Sequence, residues 1–230
     1  MLELFPQGFE EVERGDGVEL AAYTDAQGEE RLWHVFGGAQ AVDVPDGWED
    51  RWRTFHRPVQ VDRLWLGPPW ETPEPGLLAV VIDPGRAFGT GAHATTRLCL
   101  ELLQTLEPSS LLDVGCGSGV IAIAAALLGF APVTAVDTEA AAVEATDANA
   151  RANGVEVDAQ PVAADGDLAP AEVGVANISR EAVLELPRRI DVRQLVTSGY
   201  LASEPLVLDG YAHIERRIRE GWAADLHRRV

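Results

Sequence analysis

The sequence predicts an α/β protein, a doubly wound and mostly parallel sheet of about seven strands preceded by a small β-rich module. Three observations predict it. Strand-like and helix-like segments alternate from residue 77 onward, a glycine-rich turn follows a strand and opens a helix at Leu111 to Gly119, and the next strand-like segment ends in an acid, Asp137. Such alternation builds a parallel sheet covered on both faces. Ligands of these sheets bind outside the carboxyl ends of the strands, near the point where strand order reverses.

Taken in order, residues 1–46 read as the small module. Its apolar pieces, Val18 to Tyr23 and Arg31 to Phe36, are separated by Gly15-Asp16-Gly17 and Asp25-Ala26-Gln27-Gly28 and read as strands joined by turns. Residues 47–76 read as a connection. Trp48, Trp52 and Phe55 stand at helical spacing, Pro58 ends that pattern, and a proline-rich stretch from Gly67 to Gly76 marks the boundary. Residues 77–230 form the main domain. Strands are expected at 77–83, 110–115, 132–137, 157–165, 173–178 and 194–200, with helices at 95–106, 120–129, 139–154 and near 180–186. His213 to Gly221 and Trp222 to Val230 read as an antiparallel pair closing one edge.

Composition narrows the function classes. With 18 basic residues, all arginine, against 37 acidic ones, the formal charge is -19. A field of that sign opposes binding to phosphate backbones and attracts a basic protein partner, or else serves solubility alone. Without lysine, Schiff-base and P-loop lysine chemistry are excluded. Cys99 and Cys116 are too few for a disulfide framework or a closed zinc site, so no metal is expected. No apolar run reaches the ~20 residues needed to span a bilayer, and the start carries no basic and apolar leader pattern. The expected location is the cytoplasm, away from membranes. Between Glu10 and Glu30 eight acids face one arginine, which reads either as a solvated face or as a docking surface for a basic partner.

The chemistry concentrates in a few places. Glycines at 115, 117 and 119 let a ligand approach the backbone, and the helix that follows presents unpaired N–H groups. A dinucleotide fingerprint would need glycine at position 120, where Val120 stands. The tighter spacing after an acid, Asp113, is the pattern of methyltransferases, whose ligand has no pyrophosphate. Asp137, 18 residues after Gly119, ends the next strand, from which a carboxylate grips ribose hydroxyls or caps the following helix. Asp165 is a candidate for the adenine edge, with a plain turn in Asp165-Gly166-Asp167 as its alternative. In Asp83 to Thr96, Phe88 is the bulky apolar residue of a glycine-rich loop that folds over a ligand, and Thr95 or Thr96 caps the next helix. His93 either holds that loop or works as an acid or base. Asn177, ending a buried-type strand, accepts from an amine, orients a cofactor or makes a turn.

The segments DPGRAFGTGAHATT, LLDVGCGSG, AVD and VANI, in this order and spacing, resemble the PrmA family of bacterial methyltransferases that modify ribosomal protein L11. The likeness is specific across Asp83 to Ile178. SGYLASE (Ser198 to Glu204) and EGW (Glu220 to Trp222) are similar to the family's closing elements, and Trp48 to Trp70 to its interdomain linker. The resemblance implies a Rossmann-like methyltransferase domain that uses S-adenosylmethionine to trimethylate amines of a ribosomal protein. It implies cofactor contacts for Thr96, Gly115, Asp137 and Asn177, with Asn177 also at the reacting amine. Three departures stand out. The amino-terminal module lacks a counterpart of the family's first strand and helix, Pro187 to Gln194 replaces the usual helix end and proline-glycine-glycine turn, and Ala94 stands where the family has proline. The rivals are a methyltransferase for a small molecule or another protein, and a factor that binds the same cofactor without turnover.

Overall fold

The computed structural model describes residues 10–14 and 17–21 as backbone, residues 32, 35 and 36, and residues 56–83 and 91–230. The chain divides into two units, Met1–Asp50 and Arg51–Val230. In the first, strands β1 (Glu10–Arg14) and β2 (Gly17–Ala21) pair antiparallel, from Glu10 opposite Ala21 to Arg14 opposite Gly17. Leu32, Val35 and Phe36, expected in a strand, are helical. Their spacing of three and four residues is the helical period, and it overrides the β propensity of the individual side chains. The proposed linker helix with Trp48, Trp52 and Phe55 lies outside the described residues.

The second unit holds two sheets. Strands β3 (Val59–Val61), β4 (Leu64–Gly67) and β5 (Leu78–Val81) form the smaller, with β3 and β4 antiparallel and β4 and β5 parallel. Two expectations are corrected here. Residues 59–67, expected within the connection, form the β3–β4 hairpin, and the strand expected at 77–83 pairs with β4 and not with the large sheet. The proline-rich stretch from Gly67 to Gly76 serves as the crossover that brings β5 beside β4. Leu64, Trp65 and Leu66 are buried, so this sheet belongs to the core.

The remaining elements alternate as expected: α1 (Ala94–Leu103), β6 (Leu111–Val114), α2 (Val120–Leu127), β7 (Val133–Asp137), α3 (Ala140–Ala152) and β8 (Asp158–Pro161). They continue with β9 (Ala171–Asn177), α4 (Arg180–Glu185), a 3-10 turn at Leu186–Arg188, β10 (Val192–Leu201), β11 (Tyr211–Arg219) and β12 (Trp222–Arg229). Seven strands, in the order β11-β12-β10-β9-β6-β7-β8, make a mixed sheet in which only the pairs of β12 are antiparallel.

Side chains alternate between the two faces with the period of two that a strand imposes. Leu111, Val133, Ala135, Val173, Val175 and Val196 pack with α1 and α2 on one face. Leu112, Val114, Val136, Ala176 and Leu195 pack with α4 on the other. Helix α2, VIAIAAAL, is apolar all round, as a helix buried on every side must be. None of the helices among the described residues is long and apolar enough to cross a membrane.

Candidate functional site

The carboxyl ends of β7, β6 and β9 stand side by side, with Val114 opposite both Val136 and Ala176. Strand order reverses between β6 and β9, so this is the edge at which a doubly wound sheet binds ligand. The turn from Gly115 to Gly119 occupies it.

Gly115, Gly117 and Gly119 all have positive φ (76°, 55° and 81°). A Cβ on Gly115 would lie 2.3 Å from Ile178 Cγ2, and one on Gly119 would lie 2.8 Å from Thr146 Cγ2. Only glycine meets both demands. Helix α3 braces the turn: Thr146 Oγ1 donates to the Gly117 carbonyl (3.1 Å) and Asn149 Nδ2 to the Ser118 carbonyl (2.9 Å). One turn further along, Asn153 bonds both backbone groups of Val81, while Asn149 Oδ1 accepts from the Asp83 N–H. Sequence reasoning missed this stripe. Its signal was polar residues at positions 146, 149 and 153, in helical register with the buried alanines 142, 145 and 150.

Asp137 serves the turn and the next helix together. Its Oδ2 accepts from the Gly117 N–H and its Oδ1 from the Glu139 N–H, each at 3.0 Å. Each carboxylate oxygen has two lone-pair sites, so both keep capacity for a further donor.

Asp113, expected among the cofactor contacts, turns its side chain under α2. It is 1% exposed, and its carboxylate accepts from the Ala122 N–H (3.1 Å) in the first turn of α2. The residue preceding that helix, Gly119, has no side chain to cap it, and Asp113 supplies the missing acceptor from the strand below. Burial pushes its carboxyl up to about 7; the Ala122 bond opposes the shift and the charge of Asp137 adds to it.

Across the switch point, Asn177 ends β9 and its Nδ2 donates to Thr96 Oγ1 (3.2 Å) in the first turn of α1. Residues 81 apart in sequence thus meet at one edge. The side-chain oxygen of Asn177 is engaged by none of the described residues. His93, not Thr95 or Thr96, caps α1, and its Nδ1 lies 2.8 Å from Thr95 Oγ1 and accepts from the Thr95 N–H. The helix begins one residue earlier than expected, at Ala94. The imidazole also meets the Trp222 ring edge-on at 5.0 Å, which makes His93 an anchor of the loop end.

Phe88 lies outside the described residues. Asp165 is exposed and sits in a turn four residues beyond β8, whose end is Pro161. That turn is gripped by Arg189, whose Nη1 and Nη2 donate to the carbonyls of Ala164 and Gly166 at 2.5 Å. Cys116 is buried beside the glycine turn, and burial lifts its thiol to about 12, far from nucleophilic use. Among the described residues no three His, Cys, Asp or Glu gather as metal ligands.

Comparison with known proteins converges on one family. The family described as "Ribosomal protein L11 methyltransferase (PrmA)" matches residues 18–229. The ribosomal protein L11 methyltransferase of Legionella pneumophila (strain Lens) is 39% identical over 191 residues, covering 76% of this chain and 66% of its own. That of Azotobacter vinelandii is 43% identical over 168 residues, 68% of this chain and 58% of its own. The crystal structure of ribosomal protein L11 methylase from Lactobacillus delbrueckii subsp. bulgaricus aligns at a TM-score of 0.64 and 26% identity, over 76% of this chain and 99% of that one. The chain spans about two thirds or less of the length of these two curated relatives.

Proposed function

The chain belongs to the PrmA family of ribosomal protein L11 methyltransferases, and from that premise we propose that it transfers methyl groups from S-adenosylmethionine to amines of an L11-like ribosomal protein. The observation that carries this reading is the meeting of Asp137, the glycine turn and the Asn177–Thr96 pair at one sheet edge. The residues fit the cofactor: Asp137 has lone pairs left for ribose hydroxyls, and Gly115 to Gly119 form a turn without side chains ahead of the α2 N-terminus. When bound, S-adenosylmethionine supplies an electrophilic methyl group on a sulfonium sulfur, and Asp137, Gly115, Thr96 and Asn177 would hold it.

The protein's own work is then alignment. A lysine amine titrates near 10.4 and must be neutral to attack, and a site that excludes water favours the neutral form. Asn177 Oδ1 accepts an N–H of that amine, which leaves the nitrogen lone pair for the methyl. Because Nδ2 is tied to Thr96, the amide cannot turn away, and orientation of this kind supplies a large share of a transfer rate. The proton leaves to solvent, so no dedicated base is required.

The partner is a basic protein, consistent with the net charge of -19. Nucleic acid and membrane are not bound directly, and the workplace is the cytoplasm, where ribosomal proteins are available. Intact-mass analysis of ribosomal proteins incubated with the chain and donor tests the reading. One L11-like protein should gain mass in whole methyl steps. Methylation of small amines alone, or donor binding without transfer, overturns the substrate assignment or the activity respectively. Asn177→Ala should lower turnover more than donor affinity, since an amide that aligns the amine acts mainly in the transition state.

A further inference from the structure

Strand β10 carries an irregularity beside the acceptor end of the site. Against β12, Ser198 pairs with Ala224 and Tyr200 with Ala223, so Gly199 is the extra residue of a bulge. Against β9, pairing ends at Ser198 opposite Asn177. Gly199 therefore stands next to Ile178, the residue that follows Asn177. Its φ is 103°, and a Cβ placed on it would lie 1.9 Å from the Ile178 carbonyl oxygen, 2.7 Å from its carbon and 3.1 Å from its nitrogen. All three contacts are backbone, so no side-chain rotation relieves them. Ile178 is also flanked by Gly115, whose added Cβ would strike its Cγ2.

The bulge is pinned on both sides by buried groups. Ser198 Oγ donates to the Ala223 carbonyl (2.7 Å), and Tyr200 Oη donates to Asp225 (2.8 Å). Ser198, Tyr200 and Asp225 are all buried. The chain at Gly199 thus cannot yield, and the Ile178 backbone rests against it.

We infer that Gly199 is a positioning residue for methyl transfer: its bare Cα sets the height of the Ile178 backbone and so aims the neighbouring Asn177 amide at the incoming amine. The inference rests on the proposed role of Asn177. Any side chain at 199 forces the end of β9 to retreat by more than an ångström, and a misplacement of ~1 Å at a reacting centre costs ~100-fold in rate. Glycine is required at this point for the close approach as well as for the backbone angle.

The test compares Gly199→Ala with Gly154→Ala. Gly154 has φ 65° and nothing within 4 Å of an added Cβ, so it carries the same kind of backbone strain without the contact. Gly199→Ala should lower kcat by ~100-fold while donor Kd stays within about threefold, and Gly154→Ala should leave both unchanged. A folded Gly199→Ala with wild-type kcat overturns the inference, as does a donor-affinity loss that matches the loss in kcat. If Gly199→Ala does not fold, Tyr200→Phe decides, since it keeps the ring and frees the bulge from Asp225. About tenfold lower kcat at unchanged donor Kd supports the assignment, and unchanged kcat overturns it. A readout independent of activity is the NMR signal of the Asn177 side-chain amide. It should move in Gly199→Ala and not in Gly154→Ala; an unmoved signal overturns the inference whatever the wild-type activity. Failure of the wild type to transfer methyl would instead count against the proposed function.

Discussion

Two edges of the main sheet use the hydrogen-bonding capacity of their polar groups differently. At the proposed ligand edge, Asp137 and Asn177 each spend part of their hydrogen-bonding capacity on the protein and keep the rest. At the closing edge nearly everything is consumed. Asp225, 0% exposed, accepts from Tyr200 Oη (2.8 Å), His213 Nε2 (2.7 Å) and the Arg216 guanidinium (Nε and Nη2, 2.8 Å each). Arg216 further donates to the carbonyls of Ala202 and Glu204. Thr197 bridges Tyr200 Oη (2.8 Å) and His227 Nε2 (3.3 Å). Since Tyr200 gives its proton to Asp225 and Thr197 gives its own to Tyr200, His227 carries its proton on Nε2. Its Nδ1 lone pair is left without a partner among the described residues. Burial, the largest cause, depresses this histidine to about 4 and keeps it neutral. A site needs open valences and a strut needs closed ones. Only the strut should fail by unfolding.

The largest effect that would break this contrast belongs to Asp225→Ala. It leaves the buried Tyr200 and the part-buried Arg216 without their acceptor, and removing one partner of a buried pair costs up to ~3–5 kcal/mol. Urea unfolding reads the loss directly. A loss below ~1 kcal/mol, the scale of an exposed pair, would mean that the network is only a surface feature.

The next effect appears in stability against pH, where the two regions have opposite signs. The Asp113 carboxyl is raised from 3.8 to about 7, so the folded state keeps a proton that the unfolded state releases. Its contribution is fully present below pH 4 and is lost as pH rises towards 7. His227 falls from 6.5 to about 4, so its contribution is present above 6.5 and is lost as pH falls towards 4. Each limb amounts to a few kcal/mol at most, at ~1.4 kcal/mol per unit. Asp113→Asn should flatten the first limb and leave the second, and His227→Gln should do the reverse. Unfolding midpoints between pH 4 and 7.5 decide it, and a variant that leaves its own limb intact rules that residue out.

Asp137→Ala sharpens the contrast from the site side. It should weaken donor binding by ~1.5–3 kcal/mol for each charge-assisted bond lost, with a smaller change in stability. Calorimetry on the folded variant measures it, and unchanged affinity removes Asp137 from the site. The smallest effect is expected for His93→Ala, ~1 kcal/mol of stability from the lost cap of α1. A loss of turnover without that loss of stability would instead make His93 an acid or base.

Much of the fold was legible because its signals are local. Strand and helix periods located every strand of the large sheet, and the Gly115-to-Gly119 spacing with Asp137 located the turn where the two meet. What was not legible depends on partners distant in sequence. Nothing in LLAVVID tells that β5 pairs with β4 rather than entering the large sheet, because a part-buried strand and a fully buried one can carry the same short apolar run. Asp113 lies in the same motif as the glycines, yet its side chain turns under α2, a choice made by strand register. His93 outcompetes two threonines as the cap because Trp222, 129 residues later, holds its ring. Gly199 carries no motif of its own, and its meaning lies in the backbone of Ile178.

The contact between Trp222 and His93 has a consequence for synthesis. Helix α1 is the first helix of the main domain among the described residues, and it leans on the final strand pair at both ends, through that ring contact at its cap and the bond from Arg219 to Glu101 in its last turn. A ribosome delivers the chain from its amino end at roughly 5–20 residues per second. Arg219 follows Glu101 by 118 residues, so α1 waits about 6 to 24 seconds for its last partners to be added. Long-range closure of this kind also slows folding in general. Until residues 219–222 emerge, the helix that carries Thr96 lacks these two contacts, and the packing around the site is completed last.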